Sequence, residues 1–302
     1  MRERSDGSLD PGRSATAVEA FELVGNETRA QILDALGGVR DAKSAPPVLS
    51  FSELRAAVES DIDSSQFNYH LQQLVGRYVR RTDGGYQMRP VGMLLYRTIR
   101  AGTVTDELCV AAFETGIDCY RCGGSILADP DFGEFWLQCA ECEHFYDMVM
   151  APPATVNEGN TDELLTRLDQ YNRHRRLAFR RGICPVCMHR VDQRITTVDE
   201  EPYTNTELVD RHVHWSCGHC GHRMFASRGM ALADTPTVLS FFESRGVDLT
   251  ERTVWEFEFA MTDRTLTVHS TDPMEFSLDI SHDDAVLELL VDENLSILET
   301  NG

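Results

Sequence analysis

The sequence predicts an α+β protein of 302 residues built from several small domains. Three observations support this fold class. Apolar residues recur at helical spacing from 15 to 101, interrupted once by a hairpin pattern. The segments 103–152 and 183–230 each contain two Cys-x-x-Cys pairs separated by strand-like residues, which indicates a diverged internal repeat. The segment 234–302 begins with a short helix and continues with stretches of strand length.

Boundaries between these regions follow from composition. Residues 1–14 are polar and rich in Gly, Ser and Asp, which predicts a disordered tail. A helix over 161–182 is expected to link the two cysteine-containing segments. The remainder, 234–302, is expected to form a small acidic α+β domain, since it holds three arginines and 16 acidic residues.

The region 15–101 contains start signals for three helices, with Asn26, Ser52 and Asp63 as expected N-caps. A hairpin with an Asp-Gly-Gly turn follows, and Pro90 then begins a further helix that continues to residue 101. Three helices, a hairpin and a trailing helix are the elements of a winged helix-turn-helix.

The predicted helix 64–76 presents a face of polar side chains without a single acidic residue, and arginines follow on the hairpin. Amide and hydroxyl groups can read base edges in the major groove, and arginines can contact phosphates. The alternative is a solvated face with the arginines as its counter-charges. The residues expected to contact double-stranded DNA are Ser65, Gln66, Asn68, Tyr69, Gln72, Gln73, Arg77, Arg80, Arg81 and Arg89.

The motifs FELVGNETRAQILDAL, FSELRAAV and SSQFNYHLQQLVGRYVRRTDGGYQMRPVG resemble the winged-helix domain of ArsR-type transcriptional regulators in its haloarchaeal form. The resemblance implies a homodimer with residues 15–23 and 90–101 as the dimer surface, and a recognition helix at 64–76. Tyr69 occupies a position where this family usually has a basic residue. The cysteine sensing site of some members is not implied, since no cysteine precedes Cys109.

Eight of the nine cysteines form four Cys-x-x-Cys pairs. In a reducing compartment this spacing is typical of metal sites, and two pairs complete a tetrahedron of four thiolates. Two structural Zn²⁺ ions in zinc-ribbon-like modules are therefore expected, with Fe as the rival metal and a metal- or redox-responsive switch as the alternative role. Cys109 is expected to be a buried, inert thiol. The expected ligands are Cys119, Cys122, Cys139 and Cys142 in one site, and Cys184, Cys187, Cys217 and Cys220 in the other.

Arginines crowd the end of the predicted linking helix, and three interpretations remain open for them. They complement the helix dipole in solvent, contact a DNA backbone, or bind the acidic 234–302 domain. The arginines concerned are Arg173, Arg175, Arg176, Arg180 and Arg181.

Composition limits the function classes. The net charge is −21, and Lys43 is the single lysine among 28 basic residues, which favours a halophilic protein. The alternative is an ordinary acidic protein from a GC-rich genome, in which codon bias replaces Lys by Arg. No signal segment or membrane span is visible, which predicts a cytoplasmic protein without a membrane partner. No catalytic motif is present, so an enzyme is not expected. The leading hypothesis is a DNA-binding transcriptional regulator, with an effector or protein partner on 234–302. The alternative is an interaction or scaffold module of the transcription machinery.

Overall fold

The computed structural model describes residues 16–39, 47–58, 61–131, 133–156, 161–197 and 207–302. The predicted tail at 1–14 lies outside these residues. The chain divides into two compact units, Met1–Thr105 and Asp106–Gly302, here called the N-terminal and C-terminal units. None of the described helices combines the length and the apolar character needed to cross a lipid bilayer.

The N-terminal unit has helices packed against a small antiparallel sheet in which the strand order is β1–β3–β2. Its described elements are α1 (Ala17–Val24), α2 (Glu27–Gly38), β1 (Val48–Leu49), α3 (Phe51–Ala57), α4 (Ser64–Leu74), β2 (Val79–Thr82), β3 (Gly85–Met88) and α5 (Pro90–Arg100). Apolar side chains of α2, α3, α4 and the β2–β3 hairpin form one core, with Ile32, Leu54, Phe67 and Leu71 almost fully buried.

Helix starts in this unit are set by side-chain caps. The predicted caps Asn26 and Asp63 are confirmed, because each side chain accepts hydrogen bonds from backbone N–H groups of its helix. The predicted cap Ser52 is wrong. Ser50 caps α3 instead, since its Oγ accepts from the Glu53 N–H while the Glu53 carboxylate accepts from the Ser50 N–H.

The helix predicted over 64–76 ends earlier, at Leu74. Gly76 has a φ of +95°, which a glycine adopts without strain and other residues rarely do. Its N–H donates to the carbonyl of Val79, so the chain turns directly into β2.

The C-terminal unit contains three antiparallel sheets, which are β4–β5–β6–β7, β10–β9–β8 and β11–β12–β13–β14, and four helices among its described residues. The first sheet comprises β4 (Phe113–Asp118), β5 (Ser125–Asp131), β6 (Glu134–Cys139) and β7 (Phe145–Met150). Helix α6 (Thr161–Arg180) leads to β8 (Asp192–Thr197), β9 (Arg211–Ser216) and β10 (Arg223–Ser227). Then follow α7 (Arg228–Leu232), α8 (Pro236–Glu243), α9 (Glu258–Met261), β11 (Leu266–Thr271), β12 (Met274–His282), β13 (Ala285–Asp292) and β14 (Ile297–Asn301).

One hydrophobic core joins these elements. It runs from Phe135 in β6 through Leu168 in α6 and Trp215 in β9 to Phe276 in β12. The sequence analysis separates 103–152, 161–182, 183–230 and 234–302, but in the structure these segments share this core. Helix α6 is accordingly part of the interior of the unit and not an exposed link, since Leu164, Leu165, Leu168 and Phe179 are buried.

The arginines of α6 also face inward. Arg173 is 5% exposed; its Nε lies 2.6 Å from Asp169 Oδ2, and its Nη1 lies 2.9 Å from Asp234 Oδ1. Its Nη2 donates to the carbonyl of Arg252 at 2.9 Å. Solvation as the role of this residue is therefore wrong. Among the three interpretations, binding of the 234–302 segment describes Arg173.

Arg180 supports the same conclusion, because its Nη2 donates to the carbonyl of Leu295 at 3.4 Å. Arg176 is 2% exposed, which excludes solvation as its role. Burial raises the pKa of Asp169, although Arg173 and Arg176 oppose that effect. The buried arginines therefore compensate a carboxylate that would otherwise be costly to ionise.

We expect Arg173→Met to lower the free energy of unfolding of the C-terminal unit by about 3–5 kcal/mol, because it leaves the buried Asp169 without its nearest cation. Arg167→Met on the same helix is the matched control. Its Nε lies 4.0 Å from Glu163 in a partly exposed pair, so the expected loss is below about 1 kcal/mol. Denaturant unfolding of the metal-loaded protein measures both, and equal losses would contradict the proposed role of Arg173.

His212 supplies a pH dependence. Burial lowers its pKa to about 4, with His214 and Arg228 acting in the same direction and Asp210 opposing them. The unfolded chain takes up this proton near its ordinary pKa of about 6.5, so the stability contributed by neutral His212 is present above that value. It is lost as the pH falls toward the folded-state value.

The measurement is the difference in unfolding free energy between the wild type and His212→Gln. Between about pH 7 and about pH 5.5, the wild type is expected to lose about 1 kcal/mol relative to the variant. Asp263, whose pKa burial raises to about 6, acts in the opposite direction but is common to both proteins. A difference that does not change with pH would contradict the assignment.

Candidate metal centres and the exposed face of α4

The first four-cysteine cluster lies where the turn after β4 meets the turn after β6. The Sγ atoms of Cys119, Cys122, Cys139 and Cys142 all lie within 4.8 Å of one another. Across the two turns, Cys119 Sγ is 3.7 Å from Cys142 Sγ, and Cys122 Sγ is 3.5 Å from Cys139 Sγ. The predicted grouping of these four residues is confirmed.

The second cluster has the same form and joins the turn after α6 to the turn after β9. The Sγ atoms of Cys184, Cys187, Cys217 and Cys220 also lie within 4.8 Å of one another. The distance from Cys184 to Cys220 is 3.6 Å, and that from Cys187 to Cys217 is 3.5 Å. This predicted grouping is confirmed as well, and both clusters consist of cysteine alone.

All four Cys-x-x-Cys turns have one backbone structure, here called the knuckle. The first cysteine of each knuckle accepts, through its carbonyl, a hydrogen bond from the N–H four residues later. Its own N–H donates to the carbonyl five residues later. The residue after the second cysteine has a positive φ, and these residues are Gly123, Glu143, Met188 and Gly221.

Conformations of positive φ are uncommon for Glu143 and Met188, which have φ values of 56° and 60°. Glycine at the two equivalent positions adopts them freely. The turn keeps its geometry in spite of these side chains because the two backbone hydrogen bonds of the knuckle fix the chain on both sides. The geometry directs the two sulfur atoms of each knuckle to the same point.

Hydrogen bonds to sulfur lower the pKa of Cys119 in the first cluster and of Cys217 in the second, whereas the pKa values of Cys122, Cys139, Cys187 and Cys220 are raised. Burial raises the pKa of Cys119, but Tyr146 Oη at 3.1 Å and the N–H groups of Cys122 and Arg121 outweigh it and lower that pKa to about 6. In the second cluster, the N–H of Cys220 is the main cause that lowers the pKa of Cys217 to about 6. Sequence reasoning did not identify Tyr146, because a tyrosine seven residues after a cysteine carries no pattern of its own.

The donor set fits a soft or borderline cation with tetrahedral preference. Four sulfur atoms at mutual distances below 4.8 Å complete the coordination shell and leave no position for water or substrate. Zinc and iron both accept such a shell. Chemically, the arrangement can hold a metal ion and cross-link two turns, but it offers no open site for catalysis.

Surroundings of the two clusters differ. The first is fixed to the rest of the unit, because Tyr120 Oη donates to the carbonyl of Trp255 at 3.0 Å and Arg121 pairs with Glu207. Arg264 donates to the carbonyl of Tyr120. At the second cluster, Val186 and Met188 are 67% and 82% exposed.

Cys109, which belongs to neither cluster, is exposed. The expectation of a buried thiol is therefore wrong, because the apolar neighbours of Cys109 in sequence do not enclose it.

Helix α4 exposes the face that the sequence analysis singles out. Ser65, Gln66, Asn68, Tyr69, Gln72 and Gln73 are all exposed, and Tyr69 is 59% exposed. Within this row, Gln72 Nε2 donates to Asn68 Oδ1 at 3.3 Å. The opposite face carries the buried Phe67, Leu71 and Leu74.

The four arginines near the hairpin have different surroundings. Arg80 and Arg81 are exposed on β2, and Arg80 Nε donates to the buried Gln87 Oε1 at 2.6 Å. Arg89 is half-buried and donates to the carbonyl of Gly76, where it holds the turn after α4. Arg77 lies over the ring of Tyr78, with its guanidinium carbon 5.7 Å from the ring centroid. The structure thus brings the α4 row and two arginines to the surface of the N-terminal unit.

Comparison with known proteins gives two family matches. Residues 17–99, which include all five helices of the N-terminal unit except the last residue of α5, match a domain of unknown function, DUF7347. Residues 116–297, which include both four-cysteine clusters, match a domain of unknown function, DUF7351. Searches of the curated proteins and of the solved structures gave no match. Since the second match spans more than half of the 302 residues, the chain belongs to the DUF7351 family.

Proposed function

We propose that this protein is a sequence-specific, DNA-binding transcriptional regulator of the cytoplasm. Its N-terminal unit acts as a winged helix-turn-helix of the ArsR type, with α4 as the recognition helix. Its C-terminal unit contains two structural zinc sites. The halophilic composition fits a cytoplasm of high salt concentration.

The exposed face of α4 is the observation that carries this proposal. In a chain with 49 acidic residues, α4 itself has none, although seven of its eleven residues are exposed polar or tyrosine side chains. A solvated surface in such a protein is expected to carry Asp and Glu. Acidic groups would repel DNA, whereas amides and hydroxyls can pair with base edges, so their selective absence favours a DNA-reading face.

The β2–β3 hairpin supports the same role. Arg80 and Arg81 lie side by side along β2 at the surface, where guanidinium groups can reach phosphates on either side of a groove. Gln87 accepts from Arg80 and orients it. Arg89 instead stabilises the turn at Gly76, so its expected contribution is to place α4 and not to contact DNA.

A homodimer is part of the proposal. Helix α1 has no buried residue, and its Phe21 is 75% exposed and its Val18 64% exposed. On α5, Leu94 is 66% exposed. Val18 and Phe21 are three residues apart and therefore share one face of α1. A contiguous exposed apolar face of this kind can pair with another subunit. A dimer places two recognition helices on DNA, so a site with two-fold symmetry follows.

Zinc bound at both clusters accounts for the close approach of four thiol groups at two places in the C-terminal unit. When bound, zinc offsets two of the four thiolate charges and cross-links the turns, with an apparent binding energy of about 10–16 kcal/mol per site. The residues that would hold it are the four cysteines of each cluster. Tyr146 would keep its hydrogen bond to the coordinated Cys119 sulfur.

Selection of DNA from a random library, with metal-loaded protein in molar KCl, tests the DNA-binding function. We expect enrichment of a roughly palindromic motif. The variant Asn68→Ala/Tyr69→Ala/Arg80→Ala/Arg81→Ala is expected to bind this motif at least about 30-fold more weakly, because two base contacts each contribute about 1–3 kcal/mol.

The control is Arg245→Gln, a change of an exposed arginine in the C-terminal unit, which is expected to leave the motif and the affinity unchanged. Absence of any enriched motif would count against the proposed regulator. Unchanged binding of the motif by the variant with four substitutions would count against α4 as the recognition helix.

Metal analysis tests the two zinc sites. Protein purified without added chelator is expected to contain two Zn²⁺ ions per chain by mass spectrometry of the metal. Cys139→Ser and Cys217→Ser are each expected to retain one ion, because each removes one ligand from a different closed shell. Iron in place of zinc would appear in the same measurement and would correct the metal identity.

Cys109→Ser is the matched control, since Cys109 is exposed and belongs to neither cluster. It is expected to retain both ions. Loss of both ions in a single-site variant would show that the two clusters depend on each other for folding, whereas unchanged content in both ligand variants would contradict the sites.

A further inference from the structure

The two copies of the cysteine repeat carry opposite charge. We define the second knuckle surface as residues 181–191 and 217–223, which surround the second cluster. It contains three arginines and no acidic residue, a balance of +3. The windows at the same distances from the cysteines of the first cluster, 116–126 and 139–145, contain one arginine and three acidic residues, a balance of −2. The first carboxylate after residue 191 is Asp192, on β8.

Exposed apolar and aromatic groups accompany this charge. Ile183, Val186 and Met188 are 47%, 67% and 82% exposed. The rings of His189 and His219, one from each knuckle, are stacked with centroids 4.9 Å apart and an angle of 14° between their planes. Both histidines are exposed, so the stacked pair presents a flat face to solvent.

The backbone structure of the knuckle does not by itself cause this exposure, because the equivalent side chains at the first cluster are bound to other parts of the unit. Arg121, which occupies the position equivalent to Val186, pairs with Glu207, and the neighbouring Tyr120 binds the carbonyl of Trp255. At the second cluster, neither Arg181 nor Arg190 forms an ion pair with any residue that the structure describes. The turn that holds the first two cysteines is therefore tied to the protein in the first cluster and lacks such contacts in the second. The other turn of the second cluster is held through His222, whose Nε2 lies 2.9 Å from Arg175 Nη2.

We propose that the second knuckle surface binds unpaired nucleic acid. Arg181 and Arg190 contact phosphates, and the His189–His219 pair together with Met188 packs against a base. Phosphodiesters are the anions that this positive surface of an acidic protein complements, and an unpaired base supplies a flat apolar partner of matching size. This site is separate from the α4 face and does not depend on the proposed recognition of duplex DNA.

An acidic peptide would satisfy the two arginines but not the stacked rings. Base stacking on aromatic side chains accepts any base, since each has a flat π face. The parallel imidazoles therefore favour nucleic acid over protein as the occupant. Single-stranded DNA and RNA share the chemistry, and the experiment separates them.

The test uses the full-length, zinc-loaded chain carrying the four-fold α4 and hairpin variant, so that duplex recognition by the N-terminal unit is absent. Fluorescence anisotropy measures its affinity for labelled oligothymidylate, for oligouridylate and for a duplex, over a series of KCl concentrations. We expect both single strands to bind more tightly than the duplex, and the stronger of the two identifies DNA or RNA as the preferred strand.

Two variants at the surface separate the contributions. His189→Ala/His219→Ala is expected to weaken single-strand binding at least about fivefold without changing its salt dependence, because stacking involves no counterion. Arg181→Gln/Arg190→Gln is expected to reduce the slope of log affinity against log salt by about 1.4, which is the loss of two phosphate contacts on a single strand.

Matched controls keep folding apart from binding. Arg245→Gln/Arg252→Gln removes the same charge from exposed positions elsewhere in the C-terminal unit and is expected to leave affinity and slope unchanged. Each variant must retain two metal ions per chain, which shows that its knuckles remain folded.

Other outcomes overturn the inference. Equal binding by the surface variants and their background would do so, as would tighter binding of the duplex than of either single strand. Binding of an acidic peptide, together with no binding of any oligonucleotide, would assign the second knuckle surface to a protein partner.

The proposed function can fail or hold independently of this inference. If the α4 variant loses the selected duplex motif but still binds single strands, the two sites act separately.

Discussion

Four sulfur atoms held within 4.8 Å of one another, twice in one chain, are the constraint on which the C-terminal unit depends. Thiolates at this spacing repel one another, and a cation bound between them would reduce the repulsion and add its own binding energy. The four knuckles meet the constraint with one backbone pattern, even where Glu143 and Met188 must take a positive φ. The strands β5, β7 and β10 each start directly after a knuckle.

Buried arginines are the second constraint, and they fix the C-terminal sheet segment to the rest of the unit. Arg173 joins α6 to Asp234 and to the carbonyl of Arg252. Arg228, the first residue of α7, forms ion pairs with Asp210 and Asp263. Ion pairs in the interior are costly to form, but they are more costly to leave incomplete. They therefore specify which segments pack together, while the apolar core supplies most of the stabilisation.

Local patterns in the sequence predicted local structure well. Cysteine spacing predicted the composition of both clusters, and the polar row of α4 and the Asp-Gly turn of the hairpin lie where they were expected. Contacts between distant residues were not predictable in the same way. Arg173 and Asp234 are 61 residues apart, so the sequence offered binding of the 234–302 segment as one of three interpretations but could not choose among them or name the partner carboxylate. Cys109 failed for the converse reason, since apolar neighbours in sequence do not guarantee burial in space.

Surface regions without acidic residues are informative about binding in this chain, because acidic residues are otherwise common on its surface. At molar salt the Debye length is about 3 Å, so attraction between distant charges is nearly absent and binding depends on groups in direct contact. A carboxylate beside a bound phosphate would then still repel it at close range, while acidic residues outside the contact surface would not. Evolutionary selection for anion binding should accordingly remove acidic residues only from positions that contact the bound anion. Helix α4 and the second knuckle surface share that property, whereas the first knuckles, packed against Glu207 and Trp255, retain their acids.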